Sequence, residues 1–210
     1  MVKVYGPMMS MDASGTIADA VTFSKWKGRN YVRQRVIPSN PKSTLQVGVR
    51  SMFSWLSKAW YLFTAPEKAD WDLLAKASSI SPFNAMMAEN MANWRQHLAP
   101  STYTPALRTG TLAVVTSFVA TGGFHQAVLA LTLSAFTDNW GAILHRTLTD
   151  TAPLTLNTVV AVIDANAIAA FSHTDTGLIA GTYYYWYHLF SRAGKLDTIP
   201  IHATGPATVT

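Results

Sequence analysis

The sequence predicts an α+β N-terminal module, a β-hairpin plus three helices, followed by an all-β immunoglobulin-like sandwich. Three observations carry that expectation. Composition changes near residue 100: residues 1–100 have a charge balance of +6, all eight Met and five of the seven Trp, whereas 101–210 have a balance of −1 and are rich in Thr, Ala and Val. The first part places apolar residues at helical spacing behind capping signals. The second alternates apolar and polar residues in runs that recur about every 10 to 15 residues, with Gly or Asp between them.

With 49% apolar and 13% charged residues among 210, the chain has material for a packed core. So low a charge fraction leaves a sticky surface, and a homo-oligomer or larger assembly is expected. Disulfides and thiolate metal sites are excluded because there is no cysteine. No apolar run reaches the roughly 18 residues of a membrane span. Thr111–Ala120 and Ala127–Phe136 come nearest and are interrupted by Thr and Ser. Met1–Ser10 lacks the charged-then-apolar pattern of a secretory signal. The expected division is 1–100 for the hairpin and helices, a Pro-containing linker over 101–110, and 111–210 for the sandwich.

Met1–Gly15 shows no periodicity and reads as an extended start. Val21–Ile37 reads as a hairpin: VTFSKW, a turn at Lys27-Gly28-Arg29-Asn30, then YVRQRVI. Alternation puts Tyr31, Arg33 and Arg35 on one face and Val32, Gln34 and Val36 on the other. The first helix is expected from Asn40 as cap and Pro41 as first residue to about Phe63, with Met52, Phe53, Trp55, Leu56, Ala59, Trp60 and Phe63 at spacings of three and four. Thr64-Ala65-Pro66-Glu67 is a capping box opening a second helix with Trp71, Leu74 and Ala75. Ser81-Pro82 opens a third, with Phe83, Met86, Met87, Met91, Trp94 and Leu98, ended by Pro100.

Seven strand-like runs follow: LAVVTSFVA, AVLALTLSAF, GAILHRTL, NTVVAVID, IAAFSHTD, TYYYWYHLFS and IPIHATGPATVT. Leu129, Leu131 and Leu133 share a face, with Ala130, Thr132 and Ser134 opposite. Gly122-Gly123 reads as a turn.

Leu178, Gly181, Thr182 and Tyr184 have the spacing found near the penultimate strand of fibronectin type III domains, which 106–210 therefore resembles. The resemblance implies that Tyr184 is a corner tyrosine whose hydroxyl bonds back to nearby backbone. Trp186 and His188 stand where that family has small aliphatics. Residues 6–98 carry a second resemblance, through Gly28, Arg29, Val32, Arg33, Asn40, Pro41, Lys42, Gln46, Arg50, Trp60 and Trp71. This pattern is similar to small structural proteins of tailed bacteriophages. It implies a virion location and other virion proteins (capsid, portal or tail subunits) as partners.

Two groups of residues are candidate partner-binding sites. Lys25, Lys27, Arg29, Arg33 and Arg35, with Trp26 and Tyr31, form a basic and aromatic hairpin. It suits docking on acidic groups of a neighbouring subunit better than nucleic acid, because no known nucleic-acid motif is present. If Tyr184, Trp186 and His188 point inward, then Tyr183, Tyr185 and Tyr187 point outward and could bind a protein or a host-surface glycan. The alternative is that this face is packed within the domain.

No catalytic, metal or cofactor site is expected. The six histidines have no helical metal spacing. Ser172, His173 and Asp175 contain hydrolase residue types, but adjacency in sequence is not triad geometry. Asp70 and Asp72 point apart on their helix. No phosphate-binding glycine loop is present. The expected function is thus a non-enzymatic virion component, most simply a capsid decoration protein on the head exterior. A tail, collar or fibre component binding a host surface is the alternative, and a nucleic-acid-binding protein the second.

Overall fold

The computed structural model describes residues 15–17, 20–27, 29–37, 43–133, 138–153, 156–165, 170–197 and 200–210. The chain divides into two compact units, 1–41 and 42–210. This boundary differs from the expected linker at 101–110.

In the first unit β1 (Gly15–Ile17), β2 (Val21–Trp26) and β3 (Arg29–Gln34) form an antiparallel sheet in sequence order. Trp26 pairs with Arg29 and Lys25 with Asn30, so Arg29 and Asn30, expected in the turn, belong to β3. Lys27 has φ 47°, the left-handed conformation that tight hairpin turns require.

The second unit's first helix is α1 (Thr44–Ala59), with Ser43 at the N-cap position but no capping bond from its side chain. The expected cap Asn40 and Pro41 lie outside the described residues, and the helix starts later than expected. Its buried positions Gly48, Met52, Trp55, Leu56 and Ala59 trace one helical stripe. A 3-10 turn, Trp60–Leu62, ends it. Helix α2 (Ala65–Ser78) follows Thr64, whose backbone N–H and hydroxyl both donate to the Glu67 carboxylate at 2.8 Å. Helix α3 (Pro82–Arg95) follows Ser81, whose hydroxyl accepts from the Asn84 N–H at 3.2 Å. Both start signals act as the sequence predicts.

Eight strands follow: β4 (Val115–Gly123), β5 (Gln126–Leu133), β6 (Asn139–Thr147), β7 (Val159–Asp164), β8 (Ala170–Thr176), β9 (Gly181–Ser191), β10 (Ile201–His202) and β11 (Ala207–Val209). They form one sheet in the order β4-β5-β8 and another in the order β10-β9-β6-β7, with β11 also on β9. All pairings are antiparallel. The two sheets enclose a core built from Phe118, Leu129, Leu131, Leu133, Leu144 and Tyr187, among others. Alternation in β5 is as expected: Leu129, Leu131 and Leu133 are buried, while Ala130 and Thr132 face solvent. Gly122 and Gly123 close β4 instead of forming a turn, which falls at Phe124-His125. Gly122 is needed for close approach: a Cβ there would sit 1.8 Å from the Thr208 carbonyl oxygen.

Helices and sandwich share a second core. Met52, Trp55, Leu56 and Phe63 pack with Trp140, Ile143, Val162 and Phe190, which lie on the β6, β7 and β9 face turned away from the first core. Aromatic edges join the layers, with Trp55 and Trp140 centroids 4.5 Å apart and Trp55 and Phe190 5.1 Å apart. The segment expected as a linker is held inside this unit. Ser101 and Thr102 are buried, Asn90 exchanges two hydrogen bonds with Ser101, and the Trp71 indole donates to the Thr102 carbonyl at 2.8 Å. Arg108 donates to the Ala99 and Gly194 carbonyls and the Asn93 amide oxygen. These bonds satisfy polar backbone that the layers would otherwise strand.

Candidate interaction surface

The register of β2 and β3 sorts the N-terminal sheet into two faces. Directly opposed residues in an antiparallel pair share a face. Val21, Phe23 and Lys25 therefore lie with Val32 and Gln34, and Thr22, Ser24 and Trp26 lie with Arg29, Tyr31 and Arg33. One face is chiefly apolar; the other is basic and aromatic. The expected basic patch is thus divided. Arg29 and Arg33 share a face, Lys25 projects from the opposite one, and Lys27 sits in the turn with its ammonium 4.8 Å from the Trp26 ring centroid. Arg35 lies just past β3, where its backbone N–H bonds the Ala20 carbonyl at 2.8 Å.

Little of this sheet is enclosed. Trp26 is 65% exposed and Val32 60%, and just past β3 Val36 is 76% and Ile37 75% exposed. Clustered exposure of large apolar residues marks contact surfaces. No carboxylate among the described residues pairs with Lys27, Arg29 or Arg33.

The tyrosine row is corrected by the structure. Tyr183, Tyr185 and Tyr187 face the sandwich core, with Tyr185 and Tyr187 fully buried, and Tyr184, Trp186 and His188 take the other face. A one-residue slip inverts every side chain of a strand. Here both faces of β9 carry aromatics, so composition could not fix which was inner. The outer one meets the helices at Phe190. The hydroxyl that bonds back to nearby backbone belongs to Tyr183, not the expected Tyr184, and donates to the Ile179 carbonyl at 2.9 Å. Tyr185 donates to Asp175 at 3.0 Å, and Arg146 bonds the same carboxylate oxygen at 2.7 Å. Burial, with Asp175 adding to it, pushes the Tyr185 phenol well up. These three tyrosines offer no surface to a glycan or a protein.

His145 and His188, far apart in sequence, come together where β6 pairs with β9, with ring centroids 5.1 Å apart. Burial, and secondarily the His188 ring, pull His145 down to about 3. Its Nδ1 contacts the Thr158 hydroxyl at 2.9 Å. Burial also lowers His188, against the opposing effect of the Asp197 carbonyl and charge. Both rings are neutral packing groups at neutral pH. Pairing of strands distant in sequence created this contact, which residue spacing could not reveal.

Other candidates do not converge. On β8, Ser172 projects from the face opposite His173 and Asp175, and Asp175 is engaged by Arg146 and Tyr185. Asp72 pairs with Lys76 at 2.6 Å on the surface of α2. No three His, Asp or Glu side chains among the described residues could hold a metal ion. A groove between α1 and β7 is lined by Ser51, Trp55, Lys58, Val162, Asp164 and His173. No described helix is long and apolar enough to cross a membrane.

No family model matches the chain, and no curated protein does. Among solved structures, a β-1,2-glucanase from Parabacteroides distasonis aligns with 48% of this chain at 15% identity and a TM-score of 0.32. The aligned part spans 14% of that protein. So slight a likeness bears on neither fold nor activity.

Proposed function

We propose that this chain is a non-enzymatic structural subunit of a tailed-phage virion. It is seated through its N-terminal sheet and carries a fibronectin type III-like sandwich on the head exterior. One observation carries the reading: Trp26 and Val32 in the three-stranded sheet, and Val36 and Ile37 just past it, are largely exposed, and none of the described residues of this unit belongs to a buried core. Surface of this kind is completed by another protein. The resemblance of residues 6–98 to small phage structural proteins supports the setting. For the sandwich, the orders β4-β5-β8 and β10-β9-β6-β7 and the Tyr183 corner bond favour the fibronectin-like reading. The host-surface alternative loses the tyrosine row as its site.

The test is immunogold microscopy of purified tailed particles from the source of this sequence, with antibody raised against the chain. Label on the head exterior is the expected result. Label on tail, collar or fibre would move the subunit, and unlabelled particles would overturn the reading.

A further inference from the structure

The basic face of the N-terminal sheet has a composition that selects among partners. Resting on the structural-subunit reading above, we propose that Trp26, Lys27, Arg29, Tyr31 and Arg33 form a docking face for a carboxylate-rich patch on another protein.

Charge complementarity comes first. Residues 1–41 have a balance of +4, whereas 42–210 have only +1. A second copy of this chain offers few carboxylates for this face: among the described residues of 42–210 the exposed Asp70 and Glu89 stand on separate helices, α2 and α3. Glu67 and Asp175 are bound by Arg192 and Arg146 at 2.7 Å, and Asp72 is bound by Lys76. The three cations Lys27, Arg29 and Arg33 meet no carboxylate among the described residues, which leaves them able to take one from a partner.

Residue types come second. Trp, Tyr and Arg are the side chains that dominate protein–protein hot spots, and here they occupy one face in register: Trp26 opposes Arg29, and Tyr31 stands between Arg29 and Arg33 along β3. The Arg fork matches a carboxylate with two parallel hydrogen bonds. Tyr31 and Trp26 supply rigid area beside those bonds.

Nucleic acid fits less well. Three cations neutralise about three phosphates, too few to hold a polyanion tightly at ordinary salt. The Lys27 ammonium already lies over the Trp26 ring, so a base stacking on that side must displace it.

The experiment measures binding of the full chain to fluorescently labelled poly-L-glutamate, and separately to a labelled oligothymidylate of equal charge, by anisotropy at two salt concentrations. Two variants change net charge equally but act on opposite faces of one strand. Arg33→Gln removes a cation from the proposed face, and Gln34→Glu adds an anion to the other. Both positions are exposed, so folding is not at stake. The proposal expects polyglutamate binding that weakens about three- to fivefold in Arg33→Gln and Tyr31→Ala, and by less than about twofold in Gln34→Glu. Equal losses in Arg33→Gln and Gln34→Glu would mean that net charge alone acts, and the docking face would fall. So would failure to bind polyglutamate. Tighter binding of the oligothymidylate, weakened by Tyr31→Ala, would replace the protein partner with nucleic acid. None of these outcomes depends on where the antibody labels a particle, so this proposal and the subunit reading can fail separately.

Discussion

Trp71 and Trp26 lie in the same chain and are treated oppositely by it. Trp71 is fully buried, with its indole N–H bonded to the Thr102 carbonyl. Trp26 is 65% exposed on a three-stranded sheet. The contrast extends to the regions around them. In residues 42–210 aromatic rings join three layers, helices against one sheet and that sheet against the next. In 15–37 the large side chains are displayed. One region encloses its largest side chains; the other displays them. Substitutions should therefore divide cleanly, costing stability in the first region and association in the second.

The strongest test of that division is Trp71→Ala. Loss of a buried indole and of its bond should cost about 3–5 kcal/mol, read as a lower urea midpoint. A midpoint within error of the parent would break the contrast. Acid should act next. The folded state holds His145 at about 3 against an ordinary 6.5. Between those values the unfolded chain binds the extra proton, so the stability present above pH 6.5 drains away as the pH falls toward 3. The loss from this group should be roughly 2–4 kcal/mol. A thermal-melt series in which His145→Gln descends as steeply as the parent over that window would remove the histidine from the account.

Glu67→Gln should cost about 1–3 kcal/mol, because this carboxylate serves two structures at once. It receives Thr64 at the start of α2 and Arg192 just past β9. Burial raises its pKa, but Arg192 and Thr64, with Thr102, outweigh that and hold it below the usual carboxylate value. Its contribution is accordingly present at neutral pH and lost as acid protonates it. The register of β9 can be sharpened with two conservative changes: Tyr183→Phe should cost about 1 kcal/mol and Tyr184→Phe less than about 0.5. Equal costs would reopen the assignment of the corner. Smallest of all, Trp26→Ala and Val32→Ser should leave the unfolding midpoint of 42–210 within about 0.5 kcal/mol of the parent.

Local signals were legible in the sequence and layer order was not. Ser81, Thr64 and Glu67 announce helix starts because capping is a contact within one turn. Leu129, Leu131 and Leu133 announce an inner face because their neighbours are polar. TYYYWYHLFS announces a strand but not its orientation, since either parity supplies a plausible inner row. What decides is a helix layer over the outer row, and no residue within β9 encodes it. Trp140, Ile143, Val162 and Phe190 look like sandwich residues, yet they belong to the core that α1 shares. For the N-terminal sheet, alternation correctly placed Tyr31 and Arg33 together. The position of Lys25 followed only from its pairing with Asn30.

One hydrogen bond bears on whether further strands can add to this fold. Strand β7 ends its sheet, and the Ser51 hydroxyl of α1 accepts the outward Val162 N–H at 2.6 Å. An incoming extended chain would find that donor spent and a helix in its path. Open sheet margins template further strands, and such templating can run on into fibres. By stoppering this margin with one of its own serines, the fold denies indefinite growth there.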